Sequence, residues 1–276
     1  MLPCKKIYVD SRYQTPDSES NSNFKIELPS TLYFPPNTIF HIDDICIPHT
    51  WRTVELGMND RLYILTQYVT NPCIITLPSQ QYTGTGLKDV IQSQLDTFAT
   101  TNIVALNNEK FLVTFNAATN SFGIDVQVVS GDGFQFSVLT DAEIKVEYGK
   151  NYNLRSANNI FRNYKSALHY TGAPFVCDAL DLQYLHNIYI SSPNLGTFTT
   201  IGVRGETDIL KKIPVNSDYG YMIVDEVQHQ ADYLDCSKQT LKTIDFRLKD
   251  VHGYDVPLHG AHVSFSIIFQ QFNPTI

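Results

Sequence analysis

Several stretches of the chain put reactive residue types close enough together to suggest chemistry. In "DVHGYDVPLHGAH", His252, His259 and His262 share one segment, and a turn joining His259 to His262 would offer two imidazoles to a metal ion. Their spacing is irregular and broken by glycine, so they read as solvated histidines of a hairpin loop. The segment "YTGTGLKD" follows a strand-like run and opens a helix, as a phosphate-binding loop does. It lacks both G-x-x-x-x-G-K-[ST] and the third glycine of the dinucleotide pattern, so Thr83 or Thr85 reads as a helix cap. Asp43 and Asp44 form a carboxylate pair of the kind glycoside hydrolysis uses, but neighbouring strand residues point to opposite faces. The two converge only if a bulge turns them. Asp132, between Gly131 and Gly133, lacks the repeated acidic positions of a calcium loop and reads as a turn. No G-x-S-x-G elbow occurs, and no cysteine stands beside a histidine in a protease setting. The residues thus define no catalytic, metal or cofactor set, and the chain reads as a non-enzyme.

Composition turns attention from chemistry to surface. The 276 residues have room for one large β domain or two smaller units. Aromatic residues make up 12% and charged residues 17%, against a usual charged share of about 25%. Much of the surface must then be uncharged or covered by neighbours, which points to extensive subunit contact. A net charge of -8 without a basic run argues against nucleic acid and anionic lipid as partners. No apolar run reaches the ~20 residues of a membrane span, and "MLPCKK" lacks the apolar stretch of a secretory signal, so a soluble protein made in the cytoplasm is expected. The five cysteines, Cys4, Cys46, Cys73, Cys177 and Cys236, have no C-x-x-C spacing and are expected as free thiols of a reducing compartment.

The elements that must position these residues are mostly strands. In "NTIFHIDDICIPHTW", Phe40 and Ile42 keep one phase and Ile45 and Ile47 the other, so a β-bulge or change of sheet is expected at Asp43-Asp44. Texture changes near residue 69. "TGTGLKDVIQSQLDTFA" places Leu87, Val90, Ile91, Leu95 and Phe98 on one helical face, with Asp89 near the positive end of the helix dipole. "FLVTFNAATNSFGIDV" then reads as a hairpin, "FQFSVLTDAEIKV" as a strand, and the Asn-rich "YGKNYNLRSANNIFRNYKS" as a connection. An α+β unit over residues 69–170 is predicted. Before and after it, over 1–68 and 171–276, short strands with turn signals indicate an antiparallel sandwich, finished by "AHVSFSIIFQQF" with Val263, Phe265, Ile267 and Phe269 on one apolar face.

Three groups of segments resemble a known family. "IYVDSRYQTPDSESNSNFKIELP", "PNTIFHIDDICIPHTW" and "NDRLYI" look like the opening of the penton (minor capsid) proteins of virophages and of Polinton or Maverick elements. "ITLPSQQYTGTGLKDVIQSQL", "FSVLTDAEI" and "LRSANNIF" resemble the family's central part, and "IYISSPNLGTFTTIGVRGETDILKKIPV" and "LKTIDFRLKDVHGYDVPLHGAHVSFSIIF" its C-terminal part. The resemblance implies a single jelly-roll β-sandwich interrupted by an α+β insertion domain. It also implies five copies closing each fivefold vertex of an icosahedral capsid beside a double jelly-roll major capsid protein, in a virion assembled from protein made in the host cytoplasm. It implies no catalytic residue and no cofactor.

The polar stretch "VDSRYQTPDSESNSNFKIELP" gains a candidate role in this frame. As an arm lying along a neighbouring subunit, it would be pinned by Asp10, Arg12 and Tyr13, which are therefore the candidate subunit-interface residues. The same residues could instead lock the arm to its own domain. The alternative function is a lectin-like or receptor-binding sandwich that acts through the insertion.

Overall fold

The computed structural model describes residues 4–67, 69–101, 110–127, 134–148, 155–195, 199–226 and 232–271. In chain order the elements are β1 (Cys4–Asp10), a 3-10 turn (Ser11–Tyr13), β2 (Asn23–Tyr33), β3 (Thr38–Pro48), β4 (Arg61–Thr66), β5 (Val69–Thr76), α1 (Gly84–Thr101), β6 (Lys110–Asn116), β7 (Ser121–Gln127), β8 (Gln135–Val138), α2 (Asp141–Tyr148) and α3 (Asn158–Phe161). There follow β9 (His169–Tyr170), β10 (Phe175–Cys177), β11 (Asn187–Ser191), β12 (Ile209–Pro214), β13 (Met222–Asp225), β14 (Leu234–Asp235), β15 (Thr240–Lys249) and β16 (Ser264–Gln271). They form two compact units, one of Met1–Trp51 with Leu185–Ile276 and one of Arg52–Tyr184.

The first unit is a jelly-roll sandwich. One antiparallel sheet has the order β1-β16-β3-β13, with β14 also on β3, and the other the order β12-β11-β15-β2. Period-two alternation gives each sheet one apolar face. Val9, Phe40, Ile42, Ile45, Phe265 and Ile267 are buried from the first sheet, and Phe24, Ile26, Ile190, Ile244 and Phe246 from the second. Phe246 and Phe265 meet edge to face across the core at 4.9 Å. The expected bulge is present: Phe265 opposes Ile45 and Ile267 opposes Ile42, so Asp43 and Asp44 together oppose Ser266.

The second unit holds two sheets, β5-β4-β8-β9 and β10-β7-β6. The expected hairpin is β6–β7, with Phe111 opposite Val126, Val113 opposite Ile124 and Phe115 opposite Phe122. Helix α1 buries Leu87, Ile91, Leu95 and Ala99, at helical spacing. Thr83 is its cap, its hydroxyl accepting from the Gly86 N–H at 3.1 Å. Gly84 is required by packing, because a Cβ there would lie 2.1 Å from a ring carbon of Phe115. Asp89 falls beyond the first turn and pairs with Lys88 instead of serving the dipole.

Three features differ from the sequence reading. The second unit is wider than 69–170, because β4 pairs with both β5 and β8 and so brings residues before 69 into its sheets. "TDAEIKV" is helix α2 rather than strand: the Thr140 N–H donates to Glu143 Oε2 at 2.7 Å in a capping box, which outweighs the β-branched residues nearby. The polar "SANNIF" contains a helical turn, α3, whose Ile160 and Phe161 are buried.

Cys46, Cys73, Cys177 and Cys236 are free thiols. Burial pushes Cys73 and Cys236 up to about 12, so neither is a nucleophile near neutrality. In the native protein at about pH 8 a thiol reagent is expected to modify the partly exposed Cys46 well before Cys73, Cys177 or Cys236. All are expected to react in denaturant without reductant. Mass spectrometry of the timed adducts checks this, and any cysteine that reacts only after reduction would contradict it.

Candidate assembly surface

The turn that carries the predicted interface residues is built by β1 ending at Asp10. Asp10 caps the Ser11–Tyr13 turn, accepting from the Arg12 N–H at 2.9 Å. The Arg12 guanidinium returns to the same carboxylate, its Nε lying 3.0 Å from both oxygens. Hydrogen bonding from Arg12 holds the Asp10 carboxyl below its ordinary range. The pair closes hydrogen bonds within the turn, while the Arg12 side chain stays 65% exposed beside Tyr13 and Tyr8, which are 80% and 78% exposed.

Ser11, between the paired residues, is fully buried and fixes the turn. Its N–H donates to Val263 O at 3.0 Å, its hydroxyl accepts from the Val263 N–H at 3.1 Å, and it shares a hydrogen bond with His262 Nδ1 at 3.1 Å. Sequence reasoning passed over Ser11 because a serine in a polar run carries no periodic signal. His262 thereby has a hydroxyl partner, and among the described residues no three metal-ligating side chains come together.

The polar stretch after the turn is not a free arm. Thr15 N–H donates to Lys25 O at 2.8 Å, Glu19 N–H to Asn23 O at 3.1 Å, and the Lys25 N–H to Ser18 Oγ at 3.0 Å. The Asn21 amide adds bonds to Gly260 O and Ala261 O at 3.1 and 2.9 Å. Residues 15–20 thus cover the first part of the outer edge of β2, at Asn23 and Lys25, satisfying backbone groups that would otherwise template another strand. Helix α1 does the same with side chains. Gln92 accepts from the Val113 N–H at 2.7 Å and donates to Phe111 O at 3.0 Å, and Gln94 bonds both backbone groups of Thr76.

The bulge on β3 turns Asp43 and Asp44 toward one partner after all. That partner is Lys6 on β1, whose Nζ lies 2.6 Å from Asp43 and 3.7 Å from Asp44. The ammonium also sits 5.3 Å from the Tyr8 ring centroid. With a lysine between them the two carboxylates form a surface ion-pair cluster rather than an acid–base pair.

A second exposed surface, which sequence reasoning missed, lies at the opposite edge of this sheet. His49 N–H donates to Tyr221 O at 2.9 Å, Gly220 N–H to His49 O at 2.8 Å, and His49 Nδ1 to Ser217 O at 2.8 Å. The imidazole stacks on buried Trp51 at 4.2 Å, and burial lowers its pKa. The anchored loop presents Tyr219 and Tyr221, and β13 continues the surface with Met222 and Val224 while burying Ile223. The all-apolar run "MIV" hid which phase faces out.

No protein-family pattern and no curated protein sequence matches the chain. A solved structure does match. The crystal structure of selenomethionine-labelled mavirus penton protein aligns with 97% of this chain and 100% of its own, at 11% identity and a TM-score of 0.51. The fold is that of a penton protein. The cryo-EM structure of the Sputnik virophage aligns over 96% of this chain and 98% of the matched chain, at 12% identity and a TM-score of 0.41.

Proposed function

We propose that the chain is a structural capsid protein, with five copies closing each fivefold vertex of an icosahedral particle beside a double jelly-roll major capsid protein. The observation that carries the reading is the alignment with the mavirus penton protein over nearly the whole of both chains. The low charged share and the exposed tyrosines of the first unit agree with a surface meant to be covered. The reading places the protein in the virion after synthesis in the host cytoplasm and assigns it no catalytic step. Image reconstruction of particles containing the chain tests it. Density for the chain at the vertices is expected, and its absence there, or its presence at quasi-sixfold positions, rules the reading out.

The second unit is proposed to be an insertion carried by the jelly roll. Replacing residues 52–184 by a short Gly/Ser linker is expected to leave a cooperatively unfolding sandwich. A linker variant that does not melt cooperatively would show that the sandwich depends on the replaced residues.

A further inference from the structure

Strand edges in this chain are treated unequally. The start of the β2 edge, at Asn23 and Lys25, is covered by residues 15–20, and the edges of β5 and β6 are capped at Thr76 by Gln94 and at Phe111 and Val113 by Gln92. The two edges of the β1-β16-β3-β13 sheet are not closed in this way. Beyond pairing with β16 and β3, no backbone hydrogen bond from another described segment reaches Lys5–Val9 of β1 or Met222–Val224 of β13. Exposed aromatics stand at both open edges: Tyr8 and Tyr13 at β1, Tyr219 and Tyr221 beside β13.

Their unpaired charges are opposite. Lys5 is exposed on β1 and makes no ion pair among the described residues. Asp218 and Glu226 are exposed on either side of β13 and make none either. The other charges near β1 are already neutralised, Lys6 by Asp43 and Asp44 and Arg12 by Asp10. One edge thus offers a free cation beside tyrosines, and the other free anions beside tyrosines and methionine.

We propose that these edges meet between copies, the β1 edge of one chain docking on the β13 edge of the next. Strand direction permits it. Every pairing in the sheet is antiparallel, so β13 runs opposite to β1, and a head-to-tail neighbour sets its β1 antiparallel to this β13. The contact joins two different patches and is therefore heterologous, the kind that closes rings. The number of copies in the ring rests on the vertex reading, whereas the contact itself stands on the two edges.

Zero-length carbodiimide cross-linking of assembled particles and of concentrated free protein, each prepared from mixed nitrogen-14 and nitrogen-15 chains, tests the contact. Isotopically mixed peptides linking Lys5 to Asp218 or Glu226 are expected, within oligomers that end at five. K5E alone, or D218K with E226K, is expected to reduce those oligomers about fivefold per lost pair, and combining the reversals to restore them. Thermal melts of the variants confirm that these exposed substitutions leave the fold intact. Oligomers linked only elsewhere, yields untouched by the reversals, or no intermolecular link in either preparation would overturn the proposal. The expected links in a ladder that stops at two, or never stops, would keep the contact and remove the fivefold vertex.

Discussion

Replacing Lys211 by methionine is expected to cost the first unit about 3–5 kcal/mol of stability. Lys211 lies on β12, at the edge of one sheet, and reaches Asp225 on β13, at the edge of the other, over 3.1 Å. Their side chains are 7% and 11% exposed, so both ions have given up most of their hydration. Methionine keeps the aliphatic stem but removes the ammonium that lies 3.1 Å from the Asp225 carboxylate. The double replacement K211M/D225L is expected to recover most of the loss, because an apolar pair of similar volume pays no desolvation. Urea unfolding followed by Trp51 fluorescence measures it, since Trp51 is the only tryptophan and is buried in this unit. A loss below about 1 kcal/mol would place the pair with ordinary surface salt bridges and sink the argument.

An effect of the same size is expected in the second unit from Arg155→Met. Asp60 is fully buried. Burial raises the pKa of its carboxyl, but the Arg155 side chain and the Gly57 N–H together outweigh that and hold it below the ordinary value. A depressed folded pKa contributes stability that is present above the unfolded value of about 3.9 and is lost as pH falls through the folded one. Without Arg155, burial dominates and the carboxyl titrates higher, so acid unfolding should begin at higher pH and neutral stability should fall by about 3–5 kcal/mol. Circular dichroism of wild type and variant across an acid titration checks both. Superimposable acid transitions would show that Arg155 is not what keeps Asp60 ionised.

Short-range pattern was legible wherever one physical rule dominated. Alternation located β3 and its slip at Asp43-Asp44, and helical spacing located α1, because side-chain direction alone decides which residues a sheet or helix can bury. The capping box Thr140-x-x-Glu143 was also present in the sequence, and weighing it above "VL" and "IKV" would have revealed α2.

What the sequence by itself determined was the β character, the bulge, the helix α1 and the hairpin, all consequences of periods two and 3.6 or of local turn chemistry. Only the tertiary structure decided which strand edges are closed and which charges are already spent. Asp10 and Arg12 suited an intersubunit clamp as a sequence, and the fold adds that they pair with each other two residues apart. Residues 14–22 suited a loose arm, yet they bond the start of β2 at Asn23 and Lys25. Lys6 meets Asp43 across 37 residues, and Ser11 meets His262 across 251. Hydrogen bonds and ion pairs saturate with whatever partner the fold brings within about 3 Å, and that partner is set by strand order, which no local pattern encodes.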